Sequence, residues 1–243
     1  MKDRVLVTGG AGFIGSHVCE QLCREGRDVV VLDNLVTGFR ENLAGLDVTL
    51  VEGSVAKYDD VEKAMAGCNK VVHLAALPSV ARSLERPLDT HEACATGTAN
   101  VLQAANLGGA RVVYAGSSSA YGNQEAKQKH ELLREDPLSP YSASKLSGEL
   151  YCRTFARVFG MNVVVTRFFN VFGPRQPADS PYSGVMARAG TSPMSKIWSL
   201  GSCNASMPTA PAARRSTSRM AIREPFSTSM SCCASLPSNS FRI

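Results

Sequence analysis

No stretch of this 243-residue sequence stays apolar for the roughly 18 residues that a membrane-spanning helix needs, so no such helix is expected. The opening Met1-Lys-Asp-Arg runs straight into an apolar segment and leaves no room for a secretory leader. Eight cysteines are present without a single Cys-x-x-Cys pairing: Cys19 and Cys23 lie a helical turn apart, and Cys232 and Cys233 are adjacent. That spacing argues against a disulfide framework or a metal site and suits a reducing cytoplasm. The net charge of +5 is also misleading. Residues 1–186 hold 19 basic against 20 acidic side chains, and residues 187–243 hold 7 against 1. The first part therefore offers no basic face to a nucleic acid.

Residues 187–243 lack more than acid. They contain no valine, one carboxylate (Glu224), 13 serines and five prolines. Without helical or strand periodicity, and with few aliphatics, they are expected to form an irregular, disordered tail rather than a core. The change at about Met186 is abrupt. It fits a shifted reading frame better than a basic tail facing an anionic surface or a divergent small domain. The expected organisation is one α/β domain over residues 1–186 followed by this Ser/Arg/Pro-rich tail.

What is present begins with Val5-Leu-Val-Thr-Gly-Gly-Ala-Gly-Phe-Ile-Gly15, an apolar run feeding a glycine turn and then an amphipathic stretch, Phe13 to Arg24. Strand, glycine turn and helix together make a diphosphate cradle. Gly9 takes the tight-turn backbone angles, Gly12 lets the pyrophosphate approach, and Gly15 lets helix and strand pack closely. The helix N-terminus then faces the anion. A second buried strand, 28–33, ends in Asp33, 21 residues after Gly12. A carboxylate there binds both hydroxyls of an adenosine ribose and repels a 2′-phosphate, which favours NAD over NADP.

Further strands are expected at 48–51, 70–76, 111–115 and 162–168, with helices at Tyr58 to Met65, Asp89 to Asn106 and Tyr141 to Phe159. Ser139-Pro140 is a start signal for the last of these. His73, inside an apolar run, is read as a packed strand residue rather than a base. Six strands alternating with helices imply a Rossmann-type, doubly wound parallel sheet. Such sheets bind ligands beyond the carboxyl ends of their strands, where the glycine turn, Asp33, Ser54, Ala75, Ser117 and Asn170 all fall.

Tyr141 and Lys145 stand four apart and share a helix face. For the phenol to act as a base near neutrality, its pKa must fall by roughly 3 units, and a lysine ammonium with a bound nicotinamide ring can supply that. Lys145 paired with Glu149 on the helix surface is the alternative. Ser117, at the end of the fifth strand, can share the proton with Tyr141 and orient a substrate hydroxyl.

In combination these segments resemble the extended short-chain dehydrogenase/reductase family, in its nucleotide-sugar 4-epimerase branch. The matching residues are Thr8 to Gly15, Asp33-Asn34, His73 to Ala76, Ser117-Ser-Ser-Ala-Tyr-Gly122, Tyr141-Ser-Ala-Ser-Lys145 and Arg167 to Pro174, spanning residues 4 to about 186. The resemblance implies NAD held by Gly9, Gly12, Phe13, Ile14, Gly15, Asp33, Asn34, Ser54, Val55, Leu74, Ala75, Ala76, Tyr141 and Lys145. It implies catalysis by Ser117, Tyr141 and Lys145, and substrate contacts from Ser117, Ser118 and Asn170. The implied reaction is redox-neutral 4-epimerisation of a UDP-hexose or UDP-N-acetylhexosamine through a 4-keto sugar.

Sugar dehydratases of the family carry Asp-Glu where this chain has Ser118 and Ser119, and decarboxylases usually keep the glutamate. Epimerisation needs neither. Dehydration, decarboxylation and a truncated, inactive NAD-binding protein remain the alternatives. Two further departures are Ser54, where the family has an aspartate near the adenine, and Cys94, where it has an asparagine near the nicotinamide ribose. Members also continue beyond this length with a sugar-binding lobe. They commonly form homodimers, for which the helices beginning at Asp89 and Tyr141 could serve.

Overall fold

The computed structural model describes residues 3–125, 128–177 and 233–235. The expected basic tail lies outside the described residues, apart from Cys233–Ser235. The strands are β1 (Arg4–Thr8), β2 (Asp28–Asp33), β3 (Val48–Glu52), β4 (Lys70–His73), β5 (Arg111–Ser117), β6 (Val163–Phe168) and β7 (Cys233–Ser235). The helices are α1 (Phe13–Arg24), α2 (Tyr58–Met65), α3 (Val80–Glu85), α4 (Pro87–His91), α5 (Gly97–Leu107) and α6 (Pro140–Phe159). The sheet order is β3-β2-β1-β4-β5-β6-β7. The first six strands run parallel, and β7 adds an antiparallel edge against Val165–Arg167.

Strands covered on both faces need apolar residues at every position rather than at alternate ones, which is why β1 and β2 read as continuous valine and leucine runs. Leu6, Val30, Leu32, Val71 and Val112 face α2, α5 and α6. Val5, Val7, Val29 and Val31 point the other way and meet Val18, Cys19 and Leu22 of α1. Strand order reverses between β1 and its neighbours β2 and β4, so a crevice opens at their carboxyl ends, the usual ligand position in such sheets.

Four features depart from the sequence reading. β4 stops at His73 because β1 ends at Thr8; once the Leu74 N–H has donated to the Thr8 carbonyl, no ladder remains for Ala75 and Ala76. β5 runs on to Ser117 because β6 continues beside it, pairing Ser117 with Phe168. The expected Asp89 helix starts at Pro87 and carries a π turn at Glu92–Thr96. There the Thr98 hydroxyl donates back to the Cys94 carbonyl at 2.5 Å, a bond that bends a helix. The short helix α3, capped by the Ser79 hydroxyl, and the three-residue β7 had no periodic signal to reveal them.

Candidate active site

The glycine turn has the geometry its composition calls for. Gly9 sits at φ +73°, and a Cβ there would lie 2.8 Å from the Ala75 nitrogen. A Cβ on Gly15 would come 2.1 Å from the Gly9 carbonyl oxygen and 2.7 Å from Gly10 Cα, so α1 can approach β1 only without a side chain. Gly12 caps α1 in extended conformation with no side-chain bond to the helix. The N–H groups of Phe13, Ile14 and Gly15 lack intrahelical partners by helix geometry, so they present the positive end of the helix.

Asp33 is buried at the lip of this turn. Its Oδ2 accepts from the Ala11 N–H at 2.9 Å and its Oδ1 from the Leu35 N–H at 2.8 Å. Each oxygen keeps a lone pair for a ribose hydroxyl. Asn34 accepts from the Val36 N–H and shapes the chain leaving β2. Leu74, Ala75 and Ala76 line the opposite lip, where the Ala75 N–H donates to the Thr8 hydroxyl. These residues fit a dinucleotide: an open cradle with free amides, flanked by a fixed carboxylate.

Ser54 and Val55 follow β3. Asp60, in the first turn of α2, accepts from the Ser54 N–H at 2.8 Å, so the acidic group at this loop comes from the helix. The sequence reading missed Asp60. Its only signal was an acid in a helix first turn, a common feature. Val55 is buried against Gly97, where a Cβ would come within 2.6 Å of it.

Ser117, Tyr141 and Lys145 come together. The Ser139 hydroxyl caps α6 by accepting from the Ser142 N–H, and Pro140 opens its first turn. Tyr141 and Lys145 thus project from one face toward the end of β5, where the Ser117 side chain acts on the Tyr141 phenol and favours its ionised form. Burial, with the neighbouring Cys94 adding to it, pushes that phenol up to about 12 despite the opposing influence of Ser117. The expected fall is the one that Lys145 and a bound nicotinamide ring together would bring. Lys145 is 4% exposed, its ammonium lies 4.5 Å from the Tyr114 ring centroid, and burial lowers its pKa.

The alternative partner for Lys145 is engaged elsewhere. Glu149 accepts two bonds from Arg167, at 2.9 and 2.8 Å, and pairs with Arg153. Ser118 opens the 3₁₀ turn Ser118–Tyr121, and Ser119 shares a 2.7 Å bond with the Ser117 hydroxyl. Asn170 lies exposed in the loop after β6.

His73 is a packed strand residue, 1% exposed, with burial lowering its pKa to about 3. Thr98 spends its proton on the Cys94 carbonyl, so His73 Nε2–H donates to Thr98 at 3.0 Å and the Thr8 hydroxyl donates to Nδ1 at 2.6 Å. This neutral chain of bonds links the glycine turn to the helix that bears Cys94. Among the described residues no cluster of metal-ligating side chains occurs, and no helix is long and apolar enough to cross a membrane.

Residues 5–202 match the model of the NAD dependent epimerase/dehydratase family, ending inside the segment read as a tail. The chain is 34% identical over 197 residues to a UDP-N-acetyl-alpha-D-glucosaminuronate decarboxylase of Bacillus cytotoxicus, covering 77% of this chain and 60% of that protein. Among solved structures it resembles a Thermus thermophilus UDP-glucose 4-epimerase in complex with NAD. There the TM-score is 0.70 at 39% identity, over 76% of this chain and 60% of the other. It also resembles a dTDP-glucose 4,6-dehydratase from Streptomyces venezuelae with NAD bound, TM-score 0.72 at 34% identity, over 76% and 61%. The chain thus spans about three-fifths of the length of these relatives.

Proposed function

The chain belongs to the NAD-dependent epimerase/dehydratase family, and from that membership we propose that it is the cofactor-binding and catalytic part of a nucleotide-sugar 4-epimerase. Its substrate is a UDP-hexose or UDP-N-acetylhexosamine, turned over through a 4-keto sugar. The observation that carries this reading is the meeting of Ser117, at the end of β5, with Tyr141 and the buried Lys145 of α6.

In this reading Tyr141 removes the proton of the sugar 4-hydroxyl, and Ser117 shares that proton and orients the hydroxyl. The glycine turn and Asp33 would hold NAD, which would supply a reversible hydride acceptor beside the sugar C4. The phenol stands near 12 with Lys145 already on the same helix face, so it becomes a base only when further positive charge is bound beside it. Ser118 is expected on the substrate side, and Asn170 at the nucleotide phosphates.

Ser118 and Ser119 favour epimerisation over elimination of water, because two hydroxyls provide neither a strong acid nor a strong base at neutral pH. Dehydration or decarboxylation is the second reading, supported by relatives that carry those names. Incubation with UDP-glucose, UDP-N-acetylglucosamine and UDP-glucuronate, followed by product analysis, tests the choice. A C4 epimer as product, lost in Tyr141→Phe, is the expected result. A decarboxylated or dehydrated product refutes epimerisation, and bound NAD with no turnover refutes an active enzyme.

Two further expectations accompany this reading. Leu84, Leu88, Leu150 and Tyr151, exposed on α3, α4 and α6, form an apolar surface suited to a homodimer. Cys19, Cys23, Cys68, Cys94 and Cys152 are free thiols, in keeping with a reducing cytoplasm.

A further inference from the structure

The chain leaving β6 turns back across the site. β6 stands three strands from β1, about 14 Å at the usual strand spacing. Phe169 stacks on Tyr121 with ring centroids 6.4 Å apart, which places the start of the segment at the carboxyl end of β5. Its other end is fastened to α1: His17 Nε2 donates to the Pro174 carbonyl at 2.9 Å, and the Arg175 guanidinium pairs with Glu20. Residues 169–175 therefore pass along the sheet edge that carries Ala75 and the glycine turn.

The fastening is organised around Glu20. Its carboxylate takes Arg175 and Arg24 and lies 3.8 Å from His17 Nδ1. The His17 ring meets Phe13 edge-on at 6.0 Å, so the latch stands on the first two turns of the helix whose N-terminus faces the diphosphate. Arg175 holds φ +64°, a left-handed conformation that disfavours a side-chain-bearing residue and must be offset by its contacts.

We propose that residues 169–175 form a strap over the bound dinucleotide, and that His17 and Glu20 are positioning residues that slow cofactor release by holding the strap shut. They act on Pro174 and Arg175, not on the cofactor. The inference rests on the dinucleotide reading of the glycine turn.

The test uses the full-length protein loaded with NADH and chased with excess NAD, with release followed by NADH fluorescence. Glu20→Gln and His17→Phe each speed release by about fivefold, the loss of roughly one net hydrogen bond or exposed ion pair, with an unchanged melting temperature. Glu20→Gln combined with Arg175→Gln releases no faster than either alone, because both break one latch. Raised ionic strength narrows the gap between wild type and Glu20→Gln. Release within about twofold of wild type for both single variants, or additive effects in the pair, overturns the strap. A wild-type protein that takes up no NADH overturns the dinucleotide reading and the strap with it. Normal uptake with unaltered release overturns the strap alone.

Discussion

Replacing Arg167 with methionine removes a guanidinium that joins three parts of the domain. Its Nε and Nη2 bond the two oxygens of Glu149, Nη2 also donates to Glu135 at 2.7 Å, and the group lies 4.5 Å over the Tyr121 ring. The Glu149 side chain is 1% exposed and that of Arg167 is 5%. Taking away one member of a buried pair costs about 3–5 kcal/mol, because the remaining charge is stranded out of water. Arg153, whose side chain is 35% exposed, still reaches Glu149, so the lower end applies. The expected loss is about 3 kcal/mol, or a fall of about 9 °C in melting temperature for a domain of this size.

Urea unfolding of wild type and Arg167→Met measures that loss. The double variant Arg167→Met/Glu149→Met supplies the control. With both charges gone the desolvation penalty disappears, while Glu135 and Arg153 keep their own 3.0 Å pair, so the double variant is more stable than the single one. Turnover follows the same order, since this network ties the helix bearing Tyr141 and Lys145 to β6. A single variant within about 0.5 kcal/mol of wild type, or a double variant no more stable than the single, refutes the reasoning.

In protein stripped of dinucleotide, the absorbance difference between wild type and Tyr141→Phe shows no phenolate at pH 10 and a midpoint near 12. A folded pKa above the ordinary value contributes stability that is whole below pH 10 and lost as pH rises through 12; Tyr141→Phe is accordingly less sensitive to alkali across that window. His73 works in the opposite direction. Its folded pKa near 3 lies below 6.5, so its contribution is whole above pH 6.5 and shrinks as pH falls toward 3. His73→Gln should show a shallower stability slope between those values, and an unchanged slope would count against burial as the cause. Gly15→Ala sets a Cβ against two backbone atoms that cannot rotate away. Calorimetric titration should find NAD affinity weakened by more than about tenfold, as expected when steric strain of more than about 1.4 kcal/mol falls on the cradle.

Much of the site was legible because its chemistry is local in the chain. The glycine turn needs only the run from Val5 to Gly15. Asp33 closes an adjacent strand, Ser139-Pro140 announces a helix, and a spacing of four puts Tyr141 and Lys145 on one face. Ser117 needed one further inference, that β5 ends where α6 begins its first turn. The less legible parts join residues remote in sequence. Glu149 faces Lys145 on any helical projection, yet it belongs to Arg167, 18 positions on, because β6 brings a fully charged guanidinium to the buried side of α6. The Tyr114 ring against Lys145 and the latch from Arg175 to Glu20 are contacts of the same kind.

The sequence by itself determined the alternation of strand and helix, the glycine turn, the acid that closes β2 and the phenol–amine pair. Each depends on backbone angles, capping and periodicity within a few neighbouring residues. The tertiary structure decided the partners: a phenol enclosed beside Cys94, an ammonium against an aromatic ring, a carboxylate claimed by a distant arginine, and a return segment pinned to the first helix. Burial and electrostatic interaction depend on distance in space, and only the packed sheet sets those distances.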